Sequence, residues 1–149
     1  MLKSATSKYY HMHLVVALDG SEVGEQAVRA AVEVAADLEA SITAVYVLPE
    51  QRDPIPAGPT SHRSGGDEPP AIARGAHVLE RAAAIADRRG LDVSTRMFES
   101  SVVPTVVELV ESSGADWLFV GYDDEETPDA ERVIQTLVES CPVAVTAIR

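Results

Sequence analysis

Apolar residues in this chain follow two rhythms: short unbroken runs, and longer stretches repeating every three or four positions. The first run, Leu14-Val-Val-Ala-Leu18, ends abruptly in Asp19, Gly20 and Ser21. Such a run predicts a strand buried on both faces, as in a parallel sheet. Val23, Ala27, Ala30, Ala31, Val34, Ala35 and Leu38 then recur at helical spacing and predict an amphipathic helix. Glu22 near its start suits the helix dipole. Ile42 to Leu48 predicts a second strand, stopped by Pro49.

Ile72, Ala76, Leu79, Ala83 and Ala86 mark a second helix, with Gly90 where a left-handed residue is expected after its end. Leu91 to Phe98 alternates as a third strand through Val93, Thr95 and Met97. Val103-Pro104 opens a third helix with proline in its first turn, Val106, Val107 and Val110 facing inward and Gly114 ending it. Trp117 to Val120 is a fully apolar strand closed by Gly121, so Trp117 and Phe119 are expected in the core. Thr127 reads as the cap of a last helix, with Pro128 at its first position and Ala130, Val133, Ile134, Leu137 and Val138 on its inner face. Pro142 breaks the chain before a terminal strand over 143–148.

Strands alternating with helices predict one parallel sheet with helices on both faces, a Rossmann-like three-layer α/β/α domain. Pattern alone leaves the strand order open. The domain is expected over 12–149, after a leader at 1–11. Residues 49–70 hold six of the nine prolines and Gly58, Gly65 and Gly66, and read as an exposed loop. In open α/β sheets ligands bind beyond the carboxyl ends of the strands, which places Asp19 in any small-molecule site.

The 149 residues suit a single domain. A net charge of −12, with ten of the twelve bases Arg, argues against nucleic acid or anionic membrane as partner. It leaves open a merely solvated surface or adaptation to high salt. No apolar run is long enough to span a bilayer, and the first residues lack the apolar segment of a secretory signal. The lone cysteine, Cys141, excludes an internal disulfide, and the expected location is cytoplasmic. Neither a P-loop nor a GxGxxG turn nor a nucleophile elbow is present. The histidines, His11, His13, His62 and His77, form no metal-ligand pattern, Cys141 has no activating base, and no nucleophile–base pair is spaced for catalysis.

Four segments in register resemble the universal stress protein family from about His13 to Arg149. They are Val16-Ala-Leu-Asp-Gly-Ser-Glu22, Ala44-Val-Tyr-Val47, Ala115-Asp-Trp-Leu-Phe-Val-Gly121 and the ending Ser140-Cys-Pro-Val-Ala-Val-Thr-Ala-Ile-Arg149. The resemblance implies sheet order 3-2-1-4-5, with Asp19 and Gly121 adjacent at the switch point. It implies that Asp19 and Val47 hold the adenosine end of a nucleotide, beside Gly20 and Ser21. It also implies a homodimer joined along the last strand through Val143, Val145 and Ala147.

The family's phosphate stretch, G-x2-G-x9-G-(S/T), starts at the glycine matching Gly121. Here its second glycine is Asp124 and its third is Ile134, followed by Gln135. Four acids, Asp123 to Glu126, stand where phosphates would lie. Unit charges ~6 Å apart at an effective dielectric of ~20 repel by roughly 3 kcal/mol. The reading is a non-catalytic regulatory module of this family that does not bind ATP. The alternatives are ATP or AMP binding at the residual site, with Mg²⁺ bridging acids and phosphate, and an unidentified protein partner for the acidic stretch or for residues 49–70.

Overall fold

A computed structural model describes residues 11–48 and 70–149. The expected leader and the proline-rich stretch lie outside the described residues, apart from His11 and Pro70. Five strands, β1 (His13–Leu18), β2 (Ser41–Leu48), β3 (Ser94–Glu99), β4 (Trp117–Gly121) and β5 (Ala144–Ala147), form one sheet in the order β3-β2-β1-β4-β5. All four ladders are parallel. The helices are α1 (Glu22–Leu38), α2 (Ala71–Asp87), α3 (Val102–Ser113) and α4 (Ala130–Ser140). Both the fold class and the strand order are as expected.

Alternation along β1 divides the core into two layers. Leu14, Val16 and Leu18 pack with Ala27, Ala31 and Ala35 of α1 and Leu79, Ala82 and Ala86 of α2. Val15 and Ala17 face the other way, against Val106, Leu109 and Val110 of α3 and Ile134 and Leu137 of α4. Burial of each large aliphatic side chain contributes about 1.5–3 kcal/mol, so the unbroken apolar runs at β1 and β4 are what a sheet covered on both faces requires. No helix among the described residues is long and apolar enough to cross a membrane.

Several boundaries and faces differ from expectation. The buried face of α1 runs through Gly24, Val28 and Val32 as well as the alanines, while Leu38 is 48% exposed. Gly24 approaches Gly121 of β4 closely, which turns its side of the helix inward, whereas Leu38 lies on that same face and is exposed because it is the helix's last residue. Ile72 and Val138, expected inside, are exposed. The third strand begins at Ser94 rather than Leu91; Leu91 instead closes the end of α2, its N–H donating to the Ala86 carbonyl. Trp117 is only partly covered, its indole N–H donating to Thr146 Oγ1 at 2.9 Å and its ring stacked 5.0 Å from Phe119. The terminal strand is shorter than the 143–148 expected, Ala144–Ala147.

The last helix starts at Ala130, with Asp129 at its cap in a left-handed conformation (φ 62°). Thr127 is therefore not its cap. The Asp124 carboxylate accepts from the Ala130 N–H at 3.0 Å instead, and the Thr127 hydroxyl is engaged elsewhere.

Candidate functional site

The sheet order reverses between β1 and β4, whose carboxyl ends lie side by side with Leu18 paired to Gly121. Asp19 is the first residue beyond β1 and is 8% exposed. Gly20 has φ 89°, a conformation costly for other residues, and turns the chain directly into α1. One carboxylate oxygen, Asp19 Oδ1, accepts from the Ser21 N–H at 3.1 Å and the Ser21 hydroxyl at 2.6 Å. Ser21 Oγ in turn accepts from the Gly24 N–H at 3.1 Å, capping α1.

The other oxygen is taken by the far side of the crevice. Asp19 Oδ2 accepts from the Asp123 N–H at 2.9 Å and from the Thr127 hydroxyl at 2.6 Å. The segment after β4 is thus folded over the carboxylate. Glu126 in the same segment pairs with Arg74 of α2 at 2.7 Å. The acidic stretch, which the pattern reads as a solvated loop, is individually engaged at three of its four members: Asp123 through its backbone, Asp124 as a cap and Glu126 through Arg74.

Beside Asp19, over the ends of β1 and β2, is a cavity of about 270 Å³ lined among others by Tyr46, Val47, Val102, Tyr122 and Val133. Asp19, Gly20, Ser21 and Gly121 meet at one point of the sheet crest, and Val47 lies in the cavity wall. Gly121 is a packing glycine. A Cβ there would lie 2.5 Å from the Val23 carbonyl oxygen and 2.7 Å from Gly24 Cα. Burial, opposed by Arg74 and reinforced by Glu126 and Asp19, raises the Tyr46 pKa. Burial and the neighbouring Asp19 hold the Tyr122 phenol far above its ordinary range.

On the other side of the segment, at the start of α4, a depression of about 200 Å³ is lined by Asp123, Asp124 and Glu131, with Arg149 as its only base among the described residues. Two members of the acidic stretch, Asp123 and Asp124, thus stand in its wall. No group of three His, Cys, Asp or Glu among the described residues is arranged to hold a metal ion.

The remaining candidates lie elsewhere. His13 is at the opposite end of β1, with Nδ1 2.6 Å from Ser41 Oγ and Nε2 3.0 Å from Thr43 Oγ1. Burial lowers its pKa, Asp116 opposes that and His11 adds to it. Cys141 is partly buried and its thiol pKa is raised, by burial first and then by Glu111. Val143, Val145 and Ala147 are half-buried against the α3–α4 layer, with β5 outermost in the sheet. Sequence reasoning missed Thr127 as a partner of Asp19, and passed over Tyr122 and Arg74.

The universal stress protein family model matches residues 11–149. A structure of a family protein from Burkholderia pseudomallei is 26% identical, covering 93% of this chain and 96% of that one, with a TM-score of 0.69. A universal stress protein from Archaeoglobus fulgidus in complex with dAMP is 18% identical, covering 93% and 98%, with a TM-score of 0.69. One from Arabidopsis thaliana with AMP bound is 18% identical, covering 92% and 90%, with a TM-score of 0.68. No curated protein sequence gives a significant match. With the family match spanning nearly the whole chain and the same sheet order at its switch point, this chain belongs to the universal stress protein family.

Proposed function

We propose that the chain is a non-catalytic regulatory module of its family that does not hold a nucleoside triphosphate. One observation carries this reading: both oxygens of Asp19 are already occupied, Oδ2 by Thr127 and Asp123 of the chain's own segment. A ligand hydroxyl approaching Asp19 must displace these donors. Its phosphates would then meet Asp123, Asp124 and Glu131 instead of a run of glycine N–H groups. The work is assigned to the cytoplasm, and to a homodimer joined along β5.

Calorimetric titration with ATP and Mg²⁺ tests the reading. The expected result is no measurable heat; stoichiometric ATP binding overturns it.

A second reading, adenine mononucleotide binding, is favoured by the cavity against Asp19 and Val47. It is supported by relatives whose structures contain dAMP or AMP. Mass spectrometry of the purified protein separates the two, because AMP carried through purification supports the second and its absence the first.

A further inference from the structure

On one face β3 is covered by α2, where Met97 packs into the core. Arg96 pairs with Val45 and Phe98 with Val47, so their side chains stand on the other face, the one that carries α3 and α4. There α3 packs over β1 and β2, and beside it, along β3, lies a cavity of about 300 Å³. Arg96 and Phe98 stand in its strand wall. Thr105, Glu108, Leu109 and Ser112 form its helix wall, one stripe of α3 at steps of three and four. None of these residues lines the cavity beside Asp19.

The two walls differ in chemistry. The Arg96 guanidinium lies 5.0 Å from the Phe98 ring centroid. A cation held over a ring keeps N–H groups for an acceptor, and a carboxylate fits a guanidinium with two parallel hydrogen bonds. The ring also keeps Arg96 on its own strand, and no ion pair joins it to Glu108 across the cavity. Glu108 is exposed on the helix wall, with the Thr105 and Ser112 hydroxyls about a turn to either side. One wall therefore presents donors and positive charge, the other acceptors and negative charge. Phe98 and Leu109 give each an apolar part.

An anion that reaches Arg96 meets the field of Glu108, and a cation that reaches Glu108 meets that of Arg96. A ligand carrying both charges a few bonds apart satisfies both walls. The volume lies at the lower end of the ~300–1,000 Å³ usual for small-molecule sites, so that ligand is compact. We infer that the cavity between β3 and α3 binds a free α-amino acid with an apolar side chain. Its carboxylate lies on Arg96, its ammonium on Glu108 and Thr105, and its side chain against Phe98 and Leu109. The site is separate from the crevice at Asp19, and stands or falls independently of what that crevice holds.

L-Phenylalanine is the probe, with N-acetyl-L-phenylalanine lacking the ammonium charge and L-phenylalaninamide lacking the carboxylate. Amide chemical shifts are followed by NMR during titration of each into the protein. L-Phenylalanine is expected to bind with a dissociation constant on the order of millimolar, shifting amides over 96–100 and 105–112. Each of the other two should bind about two- to five-fold more weakly, the worth of one exposed ion pair. Arg96 and Glu108 are exposed, so Arg96→Gln and Glu108→Gln should unfold at the wild-type urea midpoint. Arg96→Gln should weaken L-phenylalanine and leave the amide unaffected; Glu108→Gln should weaken L-phenylalanine and leave the N-acetyl compound unaffected.

No shifts at these residues up to tens of millimolar ligand overturn the inference, as do shifts confined to the crest around Asp19. L-Phenylalaninamide binding as tightly as L-phenylalanine overturns it too, since the cavity would then read only a cation. Wild-type affinity for L-phenylalanine in both variants rules out the two charges as its partners.

Discussion

The Thr127 hydroxyl donates to Asp19 Oδ2 at 2.6 Å across 108 residues of chain. This contact, with the Asp123 N–H on the same oxygen, joins the start of α1 to the segment leading into α4. Hydrogen bonds to charged acceptors contribute about 1.5–3 kcal/mol. Thr127→Val keeps the shape and removes the donor. Urea unfolding should show it less stable by about 1–3 kcal/mol, with faster amide exchange at Asp123, while Thr127→Ser stays near wild type. Equal stability of Thr127→Val and wild type would show that the contact is not formed in solution.

Two glycines should fail for different reasons. At Gly121 a Cβ meets backbone at 2.5 Å, so Gly121→Ala must push α1 off β4. Gly114 has open space around its missing Cβ but sits at φ 69°. Its replacement by alanine should cost about 1 kcal/mol from conformation alone, and Gly121→Ala should cost more, about 1–3 kcal/mol or above. Denaturant midpoints of the two variants give the order directly.

Stability should fall on acidification through His13. Burial lowers the folded-state pKa from the ordinary value of 6.5, so near pH 6 the unfolded chain binds more protons than the folded one. Stability therefore rises with pH, is fully present above about 6.5, and is lost as pH drops below it. Urea midpoints measured from about pH 5 to pH 7.5 should show this slope, and His13→Gln should flatten it. A variant with the wild-type slope would assign the titration to another group.

The outer edge of β5 is the surface on which the proposed homodimer depends. Val145→Lys places a charge, and Val145→Pro removes an N–H, in a strand whose neighbours Val143 and Ala147 are half-buried. Light scattering is expected to give a dimer for the wild type and a monomer for each variant. A dimer that survives both changes sinks the assignment.

Much of the fold was legible because burial writes itself into pattern. Leu14 to Leu18 and Trp117 to Val120 are apolar without interruption since both sheet faces are covered. Patterns report faces less well than elements. Leu38, Ile72 and Val138 fit the helical period and still face solvent, because each lies in the first or last turn of its helix, where the sheet no longer covers it. The site was legible only on its local side. Asp19, Gly20 and Ser21 announce a strand-to-helix turn within three residues, whereas Thr127 carries the signature of a helix cap and gives no hint that its hydroxyl is 108 residues away from its partner. Tyr122 had one available signal, a tyrosine directly after a buried strand's closing glycine. Arg74 had none.

The covering of Asp19 also sets how any ligand of that carboxylate must behave. If the Thr127 and Asp123 donors hold the segment down by about 2–3 kcal/mol, only about one molecule in thirty to one in a hundred and fifty is open at a given moment. A ligand that needs Oδ2 then binds with an apparent affinity lower than its intrinsic one by the same factor. A ligand that uses the neighbouring cavity and leaves Oδ2 alone loses nothing. The chain's own threonine thereby divides ligands by whether they compete for a single oxygen, and molecules resembling one another in every other respect will fall on opposite sides of that division.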